Sequence, residues 1–116
     1  MIDLYVDEAY AFDYISILDV KKTNSSQDLI NFKIICQKIK TQVGDNAFDR
    51  IMNSKLYADL VEVNRNIYNM IDLIRQDIAE LDAKLIDDAN IERYKLKRKL
   101  QDEFFMSDLT EMKTKI

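Results

Sequence analysis

The side chains that most often do chemistry in proteins are scarce in this chain of 116 residues. It contains no histidine, so the commonest general base is missing, and Ser-His and Cys-His activation of a nucleophile are excluded. The one cysteine, Cys36, lies in an Ile-Ile-Cys run that is typical of an unreactive core thiol. The single glycine, Gly44, cannot form a glycine-rich phosphate loop. We therefore expect no catalytic residue and no cofactor, and an enzyme would have to work with carboxylates, lysines or tyrosines.

Carboxylates are plentiful between residues 72 and 88. Paired carboxylates on facing helices can bind Mg²⁺, and di-iron bundles combine glutamate with histidine. The chain lacks histidine and lacks two Glu-rich motifs at the required spacing, and Arg75 and Lys84 are available to pair with the acids. We expect these acids to be solvated and expect no metal site. They are Asp72, Asp77, Glu80, Asp82, Asp87 and Asp88.

The strongest cluster of basic residues is the segment 93–99, with the sequence RYKLKRK. Such a segment can contact phosphates or an acidic partner. Glu92, Asp102 and Glu103 flank it at spacings that allow pairing on one helix, which favours a solvated face that neutralises itself. The net charge of −4 also gives no general attraction to nucleic acid or to anionic membranes, so neither is an expected partner.

The composition predicts an all-α fold. There is no proline and one glycine, so the residues that punctuate strands and tight turns are missing, and no stretch alternates as a strand would. The length favours a single domain, 1–116. The N-terminus carries acids where a signal peptide carries basic residues, and no apolar run reaches the roughly 18 residues of a membrane span. These features favour a cytoplasmic protein.

Start and stop signals divide the chain into helices. The first helix is predicted from about Asp7 to Lys22, and Ser25 caps a second helix that ends at Gly44. A short helix follows from about 45 to 53, and Ser54 caps a long one. The polar run 87–90 is predicted to end the long helix and to cap a fourth, which continues to about Met106. A last short segment opens at Ser107.

The long helix carries a heptad pattern, which we call the seam. Its residues are separated alternately by four and three positions, as in a coiled coil. One helix of roughly 33 residues would be about 50 Å long, too long for its neighbours to cover, so the pattern favours a helical bundle with one long coiled-coil-like helix that forms a homodimer. The seam consists of Leu60, Asn64, Ile67, Ile71, Ile74, Ile78, Leu81 and Leu85. Its one polar residue could fix the register of the dimer, or face a polar neighbour or water.

Three segments carry a resemblance to a known family. They are DYISILDVK from Asp13 to Lys21, EVNRNIYNMIDLIR from Glu62 to Arg75, and NIERYKLKRKL from Asn90 to Leu100. In these segments the chain resembles a family of small helical bacterial and cyanophage proteins without an established activity. The resemblance covers most of the chain and departs from the family at Met112–Lys115, where the family ends in Lys-Ser-Tyr. It implies a phage or bacterial source and an accessory role in sugar metabolism.

Two functions therefore compete. The first is a non-enzymatic interaction protein that self-associates through the seam. The alternative is a small helical enzyme or ligand-binding protein acting on a phosphorylated or sugar metabolite, and it is suggested because charged residues of the resembling segments could converge in a cleft. These are Asp13, Lys21, Asp72, Arg75, Arg93 and Lys97. An interface predicts that they flank an apolar strip, whereas a ligand site predicts that they face one another across helices.

Overall fold

The computed structural model describes residues 5–76 and 83–105, and these ranges contain five helices and no strand. The helices are α1 (Glu8–Lys21), α2 (Ser26–Val43), α3 (Asp45–Met52), α4 (Lys55–Arg75) and α5 (Ala83–Phe104). The prediction of an all-α fold is confirmed. Ile78 and Leu81 of the seam, the acids Asp77, Glu80 and Asp82, and the segment predicted to open at Ser107 lie outside the described residues.

Short polar side chains begin three of the helices. Asp7 accepts a hydrogen bond from the backbone N–H of Tyr10, Ser25 from that of Asp28, and Ser54 from that of Tyr57. Each satisfies an N–H group that the first turn of a helix leaves unpaired. The helix starts predicted at these positions are therefore confirmed to within one residue.

The prediction of one helix through the whole seam is not confirmed. α4 ends at Arg75, Gln76 caps it, and Leu85 belongs to α5, which packs against α4. The two helices are antiparallel, because Ser54 before the start of α4 lines a groove together with Phe104 at the end of α5. A 4-3 spacing of apolar residues fits one long helix and two packed helices equally well.

The predicted break at residues 87–90 is wrong. These residues lie inside α5, which is continuous from Ala83 to Phe104. Asp87, Asp88 and Asn90 are exposed there, and Asn90 donates a hydrogen bond from Nδ2 to the carbonyl oxygen of Ile86 at 3.2 Å. Polar residues end a helix only where their side chains compete for its backbone groups, and on a solvated face they need not do so.

The central element of the fold is α1, which packs against α2, α4 and α5. Its Phe12 and Ile15 are fully buried, together with Ile51 of α3 and with Leu60 and Leu100 of the antiparallel pair. α2 has no buried residue and covers one side of α1 with half-buried apolar side chains. Since neighbours surround α1, polar groups on it can also be enclosed, and this enclosure creates the site described next.

Candidate functional site

The site is built around the carboxylate of Asp13, which is buried in the middle of α1 with 3% of its surface exposed. Arg93 of α5 holds this carboxylate with two nitrogens on one edge of its guanidinium group. Nε lies 3.0 Å from Oδ1, and Nη2 lies 2.6 Å from Oδ2. The hydrogen bond with Asp13 raises the pKa of Arg93 above its usual value, although burial acts in the opposite direction. This bidentate pair fixes the plane of the guanidinium group.

Asn64 of α4 completes the network on the other side of Asp13. Its Nδ2 donates to Asp13 Oδ1 at 3.0 Å and to the hydroxyl of Ser16 at 2.7 Å, and that hydroxyl donates to the carbonyl oxygen of Asp13 at 2.6 Å. Asn64 and Ser16 are both buried. The polar residue of the seam therefore uses its amide group within the chain, to connect α4 to α1.

Lys97 adds a second positive charge to the same carboxylate. Its Nζ lies 3.8 Å from Asp13 Oδ2 and 5.6 Å from the centre of the Tyr10 ring. Arg93 and Lys97 together carry one more charge than Asp13 can balance. The carboxylate therefore holds two cations of α5 in place and leaves an excess of positive charge.

A cavity of about 230 Å³ lies beside this network, between α1, α4 and α5. Its apolar wall comes from three isoleucines, Ile17, Ile67 and Ile71. The polar lining residues are Lys21, Asn64, Tyr68, Asp72, Arg75 and Arg93. Three of those six are cations and one is a carboxylate, so the described lining of the cavity carries a net positive charge.

Two of the lining cations are uncompensated within the described part of the chain. Neither Lys21 nor Arg75 forms an ion pair with another described residue. Two neighbouring polar side chains form hydrogen bonds with other residues. Asp72 Oδ2 accepts a hydrogen bond from Gln76 at 2.8 Å, and the hydroxyl of Tyr68 accepts one from Asn24 at 3.0 Å. Unpaired cations that line a shared cavity attract anions into it.

All six charged residues suggested by the resemblance lie in this region. The four that line the cavity are Lys21, Asp72, Arg75 and Arg93. The two that stand behind it are Asp13 and Lys97. Asn64, Tyr68 and Ser16 were not among the suggested ligand residues. All three occupy positions that the resembling segments share with the family, so that signal was present.

The seam divides into a buried and an exposed part. Leu60, Asn64 and Ile67 are buried by other helices of the same chain, and Ile71 is half-buried in the wall of the cavity. The exposed seam residues are Ile74, at 41%, and Leu85, at 51%. Any contact with a second copy through the described seam would therefore involve these two residues.

The basic segment 93–99 forms most of its ion pairs with acids of α1 and of its N-cap. The sequence instead predicts pairing with acids of the same helix. Arg93 and Lys97 reach Asp13, and Arg98 reaches Asp7 at 3.7 Å, while its bond to Asp102 at 3.4 Å is the one expected pairing that is present. Part of the positive charge of this segment is thus used in contacts that hold α5 against α1.

A second group of titratable side chains surrounds Cys36. Tyr57 donates a hydrogen bond to Asp19 at 2.7 Å, and Lys22 forms an ion pair with the same carboxylate at 2.7 Å. Burial raises the pKa of the Cys36 thiol, with a further contribution from Asp19. The thiol therefore stays protonated at neutral pH, which is the unreactive state.

No three His, Cys, Asp or Glu residues within 5–76 and 83–105 are placed to hold a metal ion. Over the same ranges, no helix has the length and apolar character needed to cross a bilayer. Comparison with protein-family models, curated proteins and solved structures gave no match to the chain.

Proposed function

We propose that this protein binds a small anionic metabolite in the cavity between α1, α4 and α5. The observation that carries the proposal is that Lys21 and Arg75 line the same cavity as Arg93 and have no acidic partner among the described residues. Cations on three different helices face one space, as a ligand site requires. An interface would instead place them along the edge of an apolar strip.

Arg93 is prepared to bind before any ligand arrives. Asp13 occupies its Nε and Nη2, and Nη1 makes no hydrogen bond to a described residue. A guanidinium group held in this way loses little conformational entropy when its free edge donates to an anion. Asp13 acts as a positioning residue in this arrangement.

The size of the cavity restricts the ligand. Pockets for drug-sized molecules measure about 300–1,000 Å³, and this one is smaller, at about 230 Å³. We favour binding over catalysis because the chain has no histidine and the described lining of the cavity has one carboxylate, Asp72, which is exposed to solvent.

Isothermal titration calorimetry with inorganic phosphate tests the proposal. Arg75→Ala removes a charge-assisted hydrogen bond, so we expect the affinity to fall by about tenfold or more. Arg65→Ala is the matched control, because Arg65 lies on the same helix, is exposed, and pairs with Glu62 at 2.8 Å away from the cavity. Equal affinities of the two variants for phosphate would contradict the proposal. It would also be contradicted if the wild type bound neither phosphate nor acetate.

We further propose that the protein self-associates through the end of the α4–α5 pair at which α4 ends and α5 begins. Leu73 and Ile74 on α4 and Leu85 on α5 are exposed apolar side chains near the ends of these helices. Their burial between two copies would be favourable at roughly 25 cal/mol for each Å² of apolar surface removed from water. This proposal is independent of ligand binding, since neither Leu73 nor Ile74 lines the cavity.

A further inference from the structure

We infer that the anionic ligand is a small phosphate monoester that carries a hydroxyl group, with the phosphate at the cations and the hydroxyl at Asp72. The inference rests on the proposed function and specifies the chemical class that the same cavity accepts. It depends on the balance of charges, the position of the one lining carboxylate, and the apolar wall.

The charge balance favours a dianion. Among the residues that the structure describes, four cations line the cavity or stand directly behind it, namely Lys21, Arg75, Arg93 and Lys97, against two carboxylates, those of Asp13 and Asp72. The excess is two positive charges. A phosphate monoester carries about −1.5 to −2 at pH 7 and presents several acceptor oxygens to these donors, whereas a carboxylate supplies a single charge. A monoester therefore neutralises the site more completely.

The carboxylate of Asp72 restricts which functional group the ligand can carry in addition to its phosphate. Its Oδ2 accepts the bond from Gln76, and Oδ1 makes no hydrogen bond to a described residue. A free carboxylate oxygen accepts from a hydroxyl group and repels a second anionic group. An ammonium group on the ligand would meet the repulsion of Lys21 and Arg75, so a hydroxyl group is the donor that fits.

The remaining wall accepts a short carbon skeleton. Ile17, Ile67 and Ile71 give the cavity an apolar side on which C–H groups of the ligand can pack. The small volume excludes a nucleotide carrying a base together with several phosphates. A compact hydroxylated phosphate monoester meets all three conditions.

The test compares two ligands of equal carbon number by calorimetry, glycerol 1-phosphate and propyl phosphate. We expect the wild type to bind glycerol 1-phosphate about tenfold more tightly, since a hydrogen bond to a charged group is at stake. Asp72→Ala should abolish this preference and strengthen the binding of propyl phosphate, because a repulsive charge is removed. Asp59→Ala, which removes a half-exposed carboxylate of α4 that pairs with Lys55, should leave the preference unchanged.

The outcomes separate this inference from the proposal beneath it. If both phosphates bind equally, or if Asp72→Ala keeps the preference, the hydroxyl assignment is wrong while the anion site stands. Propionate that binds as tightly as propyl phosphate would overturn the assignment of a dianion. If neither phosphate nor propionate binds, the proposed function itself fails.

Discussion

A buried carboxylate is costly unless its charge and its lone pairs are satisfied, and Asp13 meets both conditions. Arg93 and Asn64 donate to it, and Lys97 lies within 4 Å. Removing one member of such a group leaves the others buried without their partner. The energetic effect of a substitution here should therefore exceed that at any exposed ion pair.

Asp13→Asn should destabilise the protein by about 3 kcal/mol. This is the low end of the range for breaking a buried pair, because part of the Arg93 side chain is exposed. Urea unfolding monitored by circular dichroism measures the change. Asp59→Asn makes the same chemical change in the exposed pair with Lys55 and should cost less than about 1 kcal/mol. Similar losses in the two variants would show that Asp13 has no special structural role.

Tyr57 makes stability depend on alkaline pH. Burial, and then its hydrogen bond to Asp19, raise the pKa of Tyr57 in the folded protein. The contribution is fully present below the unfolded-state pKa of about 10 and is lost as the pH rises further, because the unfolded chain releases the proton first. Above about pH 10, the unfolding free energy of the wild type should fall more steeply than that of Tyr57→Phe, by up to about 1.4 kcal/mol per pH unit. Parallel curves from urea unfolding would contradict this.

At the scale of residues, the resemblance suggested six charged residues that lie at or beside the cavity, and the sequence did not indicate which of them are buried. On α1 the side chain of Tyr14 is exposed, whereas Asp13 and Ser16 are buried. A rule that assigns charged residues to solvent cannot anticipate a carboxylate enclosed by partners from distant parts of the chain, since Arg93 is 80 positions away from Asp13.

At the scale of elements, local chemistry was the most predictable part of the fold. Asp7, Ser25 and Ser54 cap helices because their side-chain oxygens reach backbone N–H groups three residues ahead, which depends on neighbours in sequence alone. The end of α4 and the continuity of α5 depend on packing between helices instead. Apolar spacing alone does not specify that packing.

Gly44 joins α2 to α3 in a conformation that favours glycine. Its φ is +92° and its ψ is 151°, a region that L side chains rarely adopt, and no atom lies within 4 Å of the position of an added Cβ. Gly44→Ala should thus destabilise the protein by about 1–3 kcal/mol through backbone strain alone. Thermal unfolding measures the loss, with Ser26→Ala at the exposed start of α2 as the control. Unchanged stability of Gly44→Ala would show that the junction adopts another conformation.

At the scale of the whole molecule, the arrangement of helices determines which part of the seam is accessible. α1 and α5 cover its first half, and Ile74 and Leu85 remain exposed. Heptad spacing predicted the buried stripe but could not distinguish burial by the same chain from burial by a second copy. The cavity likewise depends on three helices meeting, which no single segment of sequence specifies.

Light scattering coupled to size exclusion tests the proposed self-association. A dimer should have twice the 13.7 kDa mass of one chain, and Ile74→Asp should shift it to the monomer, because a charge would be buried at the contact. Ile34→Asp changes an equally exposed isoleucine on α2 and should leave the mass unchanged. A monomer at every concentration would rule out the interface.

The cavity between α1, α4 and α5 is the proposed ligand site. A titration of isotope-labelled protein with glycerol 1-phosphate, followed by the backbone amide signals in NMR spectra, examines this site residue by residue. Saturable shifts should concentrate at Lys21, Tyr68, Arg75 and Arg93, with little change at Ile34 on the outer face of α2. The absence of saturable shifts, or their concentration on α2, would contradict the claim.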